Sequence, residues 1–244
     1  MPIYLYTFNL AQDFNLGTGG GFDDAGFSYR RLFDRSVDLY WKQSSTAQKN
    51  FNFEQNVAEA YRKGINALIV EKHNFDGVEL NLEHSDDNIT YTAAVAPWTQ
   101  DGNGQIVKEF TTVTRRYWKF YSTGTIVNPR CSEIFFSFGF EIPVASVVSP
   151  STGEQISADW ISSVGGVERG IDLGKPKKVF SYVVNLTTLF DLRACFDYLS
   201  NFSYPFYLKD HEGNFHFVKI DNIEYNWQTG DYIRARLDFS EVRG

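Results

Sequence analysis

Several residue types are scarce in this 244-residue chain, and each scarcity removes a class of protein. Two cysteines, Cys131 and Cys195, cannot build a disulfide framework. No Cys-x-x-Cys pair or Cys/His cluster has the spacing of a zinc site. Histidine occurs at 73, 84, 211 and 216 only, and none lies in a nucleophile elbow or a partnered catalytic motif, so the expectation is a protein that is not an enzyme. No apolar run approaches the roughly 18 residues of a membrane helix. Positive charge is also in deficit. Lys+Arg number 23 against 30 Asp+Glu, a net charge of −7, which argues against nucleic acid or an anionic membrane as partner. The densest basic run, Lys175 to Lys178, reads as a solvated turn. The first ten residues carry no basic leader, so the expected folding compartment is a reducing cytosol and the sequons at Asn88, Asn185 and Asn201 are chance matches.

Aromatic residues are abundant at 17%, with 22 Phe and 14 Tyr, and they fill strands better than helices. The expected fold class is mainly β. Pro2 to Leu10 alternates with both faces apolar, as a strand covered on both sides does. Gly17 to Gly21 follows as a hinge; no helical period comes after it, so it is not a phosphate cradle. From Phe27 to Phe138 short strands alternate with turn signals, which predicts a sandwich or jelly roll. Val78 to His84 alternates strictly, Ser85 to Asn88 is a turn, and Asp101 to Gly104 reads as a hairpin tip. Asn56 to Lys63 is a polar patch, loop or short helix.

Pro143 to Pro150 reads as a connector into a second unit of order β-β-α-β-β-β-β. Its helix is capped by Thr188 with Asp191 three residues on, and Leu189, Leu192, Phe196 and Leu199 form one apolar stripe. Three domain segments are therefore expected: 1–21, a strand and glycine hinge belonging with the second unit; 22–140, the sandwich; and 141–244, the second unit.

No cofactor or metal is expected. A two-residue turn at Gly213-Asn214 pairs His211 with His216 on one face and sends Asp210 to the other; two imidazoles are short of a zinc ligand set. Asp23-Asp24 and Asp86-Asp87 are adjacent turn residues and cannot flank a cleft as acid and base. Calcium at Ser85 to Asn88 competes with a self-capped turn, the commoner use of such residues. Trp41, Trp98, Trp118 and the flanking Tyr could form a sugar-stacking platform. Trp118 reads as core, and Trp98, after Pro97, is the one placed to face a ligand. Tyr4 and Tyr6 are the other candidate interface residues.

Leu32-Phe-Asp34, Trp41 to Ser44, Leu82 to Tyr91 and Thr112 to Phe120 resemble, in their order, the discoidin-like (factor V/VIII C-type) galactose-binding-like jelly rolls, most of all those in tailed-phage structural proteins. The chain lacks that family's terminal disulfide. Residues 145–244, through Leu189–Leu199, Tyr204 to Asp210, Phe217 to Ile220 and Tyr232 to Val242, resemble the ring domain of phage distal tail or baseplate hub proteins. The resemblance implies a structural subunit of a virion tail tip, assembled in the host cytoplasm. It forms a homo-oligomeric ring, usually a hexamer, that joins tail tube to hub or baseplate. Pro2 to Leu10 is then the expected edge strand donated to a neighbouring subunit. The alternative is a carbohydrate-binding module or adhesin that takes a host-surface glycan.

Overall fold

A computed structural model of the chain describes residues 2–9, 15–17, 29–36, 38–142, 147–155, 158–162, 168–172, 176–186, 204–227 and 233–242. They are mainly β and divide into two compact units, Phe8–Gly139 and a second made of Met1–Thr7 with Phe140–Arg243.

The Phe8–Gly139 unit is a β-sandwich. One sheet runs Asn15–Gly17, Asn50–Glu54, Tyr117–Ser122, Glu79–Ser85, Thr92–Ala93, with Trp98–Thr99 also paired to Glu79–Ser85. The other runs Ile106–Val113, Ile65–Glu71, Glu133–Ser137. Alternation explains the first sheet. Phe51, Phe53, Trp118, Phe120, Leu80 and Leu82 point inward and are buried; their neighbours Asn50, Asn52 and Glu54 on one strand and Tyr117, Lys119 and Tyr121 on another are only partly buried, and Asn81 is covered on the other face. Ile65–Glu71 and Glu133–Ser137 are instead buried along nearly their whole length. Trp118 and Phe53 meet Phe136 across the core at ring separations of 5.9 and 4.8 Å.

Two sequence expectations change here. Asp101 to Gly104 is not a hairpin tip: Trp98–Thr99 pairs in one sheet and Ile106–Val113 in the other, so this loop crosses between sheets. The sandwich also starts earlier than residue 22. Asn15–Gly17 pairs with Asn50–Glu54, and Asn9 donates its amide to Glu133 Oε1 at 2.7 Å. The polar patch at 56–63 contains a 3-10 turn, Glu59–Tyr61.

The second unit is a seven-stranded antiparallel sheet in the order Phe140–Ile142, Ile3–Tyr6, Phe206–Lys209, Phe215–Trp227, Ile233–Glu241, Lys177–Leu186, Val147–Gln155. Ile3–Tyr6 is paired on both sides, to Phe140–Ile142 and to Phe206–Lys209. Its backbone groups are satisfied within the chain, so the sequence-based role for Pro2 to Leu10 as a donated edge is withdrawn. Among the described residues, Phe140–Ile142 and Val147–Gln155 are the outer strands. Pro150, read as part of a connector, lies in that second edge, where a missing N–H costs no ladder bond. Ala158–Ser162 and Glu168–Asp172 make a separate hairpin. The expected helix at Thr188 to Leu199, and Cys195 with it, lies outside the described residues.

Candidate functional site

Strand starts and ends converge at one end of the sandwich, where loops 43–49, 72–78, 100–105 and 123–132 meet. Polar side chains tie them together. Asn74 donates to the Val127 and Asn128 carbonyls at 3.1 Å each and accepts the Arg130 N–H at 2.8 Å. The Asn128 and Gln43 N–H groups donate to Ser45 and Pro129 carbonyls at 2.7 and 3.0 Å. Asp76 accepts the Gly102 N–H at 2.6 Å, and Asn103 Oδ1 accepts that of Asp76 at 3.3 Å. Buried Lys49 donates to Gln43 Oε1 and to Ser45 Oγ; burial holds its pKa below the ordinary lysine value. His73, 2% exposed, accepts the Phe75 N–H on Nδ1 and stacks on that ring at 5.0 Å. Burial holds its pKa down, against the Gly104 backbone and Asp76, so it is a neutral packing residue.

Two of the four non-glycine residues with positive φ among the described residues lie at this end; Arg35 and Asn88 lie elsewhere. Lys72 and Asn128 have φ of 44° and 46°. Asparagine takes this left-handed conformation readily; lysine does so at a cost of about 1–2 kcal/mol. Lys42 and Arg130 are direct cross-strand partners beside the Asn74 clamp, while Trp41 and Cys131, one position on, face the core. Arg130 is exposed, and its guanidinium has no hydrogen bond or ion pair among the described residues. Lys72 Nζ lies 3.9 Å from Asp38 Oδ1. The result is a held polar rim with basic side chains standing on it.

The sequence-predicted site residues fall in different units, Trp98 in the sandwich and Tyr4 and Tyr6 in the other. Trp98 is half-buried; its ring stacks on Phe120 at 6.3 Å and Lys108 Nζ lies 4.5 Å over it. Tyr4 donates to Glu141 Oε2 at 3.1 Å from a strand inside the seven-stranded sheet. Tyr6 is 1% exposed and packs 5.5 Å from Phe215, so it presents no outward face. Trp118 is core, as its strand position indicates. Lys42 and Gln43 lie in the Trp41 to Ser44 stretch that carries the resemblance, but lone Asn, Gln and Lys carry no motif that assigns them to a site.

The histidine pair also changes. The turn at 211–213 has three residues, closed by Asp210 N–H to Asn214 O at 2.9 Å, with Gly213 at φ 95°. His216 therefore faces Leu208, not His211. The odd shift of register turns Asp210 onto the face of His216, and Oδ2 meets Nε2 at 2.9 Å. Among the described residues, no group of three or more His, Cys, Asp or Glu could hold a metal ion. At Ser85 to Asn88, Asp87 Oδ1 accepts the Ile89 and Thr90 N–H groups at 2.8 Å each, the self-capped turn. Asp23 and Asp24 lie outside the described residues.

No known protein family matches the chain, and no curated protein does. Solved structures do. The module CpGH89CBM32-5 from Clostridium perfringens, in complex with GalNAc-β-1,3-galactose, is 13% identical. It covers 53% of this chain and 99% of its own, with a TM-score of 0.43. The chitosan-binding module 1 from a chitosanase/glucanase of Paenibacillus sp. IK-5 is 18% identical, covers 54% and 99%, and has a TM-score of 0.43. A putative α-L-fucosidase from Bacteroides thetaiotaomicron is 10% identical, covers 55% and 29%, and has a TM-score of 0.47. The likeness is one of fold alone.

Proposed function

We propose that the chain is a carbohydrate-binding protein, not an enzyme, whose sandwich takes a glycan at the loop end clamped by Asn74. The observation that carries this reading is the clamp itself: one half-buried amide fixes three backbone groups of the 127–130 loop and so sets the rim that bears Arg130. Sugars are recognised by hydrogen-bonding groups already in place, because ordering them at the moment of binding costs affinity. An array of immobilised glycans, probed with the full chain, tests the reading. Saturable binding that Asn74→Ala weakens, while the melt stays cooperative, is the expected result. Binding to no glycan, or binding indifferent to the clamp, removes it.

A ring subunit of a phage tail tip is the second reading. Its supporting observation is the chain order: Met1–Thr7 and Phe140–Arg243 make one unit, with the sandwich inserted between them. Mass photometry decides it, since a closed hexamer supports the ring and a monomer at high concentration removes it.

A further inference from the structure

The sheet built around Tyr117–Ser122 has an outward face that folding does not account for. Tyr117, Lys119 and Tyr121 stand on it along the middle strand. Asn52 and Glu83 flank Lys119, and Asn50 and Asn81 flank Tyr121. Several of these side chains are tied in place. Tyr121 donates its hydroxyl to Glu83 Oε1 at 3.0 Å, and Tyr91 donates to Asn88 Oδ1 at 2.5 Å. Lys119 Nζ lies over both rings, 4.5 Å from that of Tyr121 and 5.5 Å from that of Tyr91. Glu54, opposite Tyr117, accepts two bonds from Arg116 at 2.6 and 2.9 Å. The three asparagines differ. Their side-chain amides make no hydrogen bond among the described residues. Asn81 is 6% exposed, and its Nδ2 and the Asn50 Oδ1 are closed off from water. A buried polar group left unpaired is costly, and folding alone gives no reason to keep two on either side of one tyrosine.

Resting on the carbohydrate-binding reading for its ligand class alone, we propose that this face is a second saccharide site, separate from the Asn74 loop end, that takes a neutral glycan chain along the strand. An asparagine amide offers donor and acceptor side by side, as neighbouring sugar hydroxyls require. A tyrosine ring offers an apolar face to the C–H groups of a sugar and keeps a polar tip. Because Asn50 and Asn81 flank Tyr121, a hydroxyl reaching past that ring meets the two unpaired atoms. Tyr117 and Tyr121 lie about 13 Å apart along the strand, more than one sugar ring spans, so the ligand that fits is a chain. Charges of both signs stand together here, Glu54 with Arg116 and Glu83 across from Lys119, so nothing selects an ionic ligand. The centre of the face is amide and charge, whereas charged residues are depleted at the centre of protein interfaces.

The test titrates the full chain with neutral oligosaccharides of increasing length, chosen from an array of immobilised glycans, and then footprints the tightest complex with hydroxyl radicals. Affinity is expected to rise with length, and the Tyr91, Tyr117 and Tyr121 rings to be protected. Tyr121→Ala and Asn81→Leu are each expected to weaken the longest chain about tenfold. Asn81→Leu, close in size, is expected to melt no lower than the wild type, since no hydrogen bond goes with the amide. Should Tyr121→Ala fail to fold, Asn52→Ala carries the same comparison. Protection confined to the loop end, or a chain affinity unmoved by these variants, overturns the sheet-face site and leaves the loop-end reading standing. An Asn81→Leu protein that melts well below the wild type shows that the amide is bonded in the fold and overturns the site as well. So does protection that grows with protein concentration in the absence of glycan, which marks a contact between two copies. Binding to no glycan overturns both readings.

Discussion

The Asn74 clamp and the Ser85 to Asn88 turn, at opposite ends of the sandwich, are closed by bonds of different reach, although the Ser85 end has its own long-range tie, from Gln55 Nε2 to the Arg115 carbonyl at 3.1 Å. At the loop end, Asn74 bonds to groups 53 to 56 residues away, and Gln48 bonds to the Thr123 carbonyl 75 residues on. At the opposite end, Ser85, Asp87 and Asn88 close a turn with bonds spanning two or three residues. The first arrangement exists only once four loops have met. The second forms from its own short segment, as Asp and Asn turns do. A turn closed by its own residues tolerates change elsewhere, whereas a clamp assembled from distant loops fails as a unit.

Both ends share one core, so the largest effect comes from breaking it. Trp118→Ala is expected to cost about 3–5 kcal/mol in denaturant unfolding, because the ring is fully buried between the sheets. It should loosen both ends together. If hydrogen exchange rises at one end only, the core is not shared and the comparison is wrong.

Asn74→Ala sharpens the contrast. It leaves two carbonyls and the Arg130 N–H without their partner, at about 1–3 kcal/mol for the set. Exchange is expected to quicken at residues 126–131 and to stay unchanged at 85–91. Asp87→Ala is the reverse experiment, with a smaller effect confined to 85–91. The Thr90 and Ile89 N–H groups and Ser85 hold the Asp87 carboxyl down to about 2, so its contribution is present above pH 4 and is lost as pH falls toward 2.

Glu133 titrates with the opposite sign. It is fully buried, and burial raises its pKa well above the ordinary carboxyl value, with Asp34 adding to the rise against the Asn9 and Arg35 hydrogen bonds. A raised folded value means the folded unit binds the proton more tightly than the unfolded chain. Stability is then greatest below the ordinary value near 4.5 and declines as pH rises through the interval up to the folded one. The melting temperature of the wild type is expected to fall from pH 5 to pH 8 relative to Glu133→Gln, whose side chain does not titrate. Parallel profiles would show that Glu133 is ionised in the fold.

What could be read from the sequence follows the same division. The strand Val78 to His84, the turn after it and the core position of Trp118 came from local alternation and turn chemistry. The Asp210–His216 contact did not, because a single residue added to a turn inverts the faces. The inner position of Ile3–Tyr6 was hidden as well. A doubly apolar strand fits a sheet centre and a donated edge equally, and only its pairing with residues 140–142 and 206–209 distinguishes them. The Asn74 clamp left no trace, since its partners belong to a loop more than fifty residues away.

The smallest expected effect is the most discriminating. Lys72→Gly removes the side chain from a residue at φ 44°. Glycine takes that conformation without strain, worth about 1–2 kcal/mol, and returns about 0.5–1 kcal/mol through its freer unfolded chain. The net expectation is a gain of about 0.5–1 kcal/mol in stability. The same change takes an ammonium group from the loop end. If the strain is kept for binding, Lys72→Gly melts higher and binds glycan more weakly. Lys72→Asn, which also tolerates the left-handed conformation, is expected to share both effects in smaller measure. A variant that gains stability and keeps its full affinity would show that Lys72 only closes a turn, and the loop end would then differ from the opposite end in the length of its bonds alone.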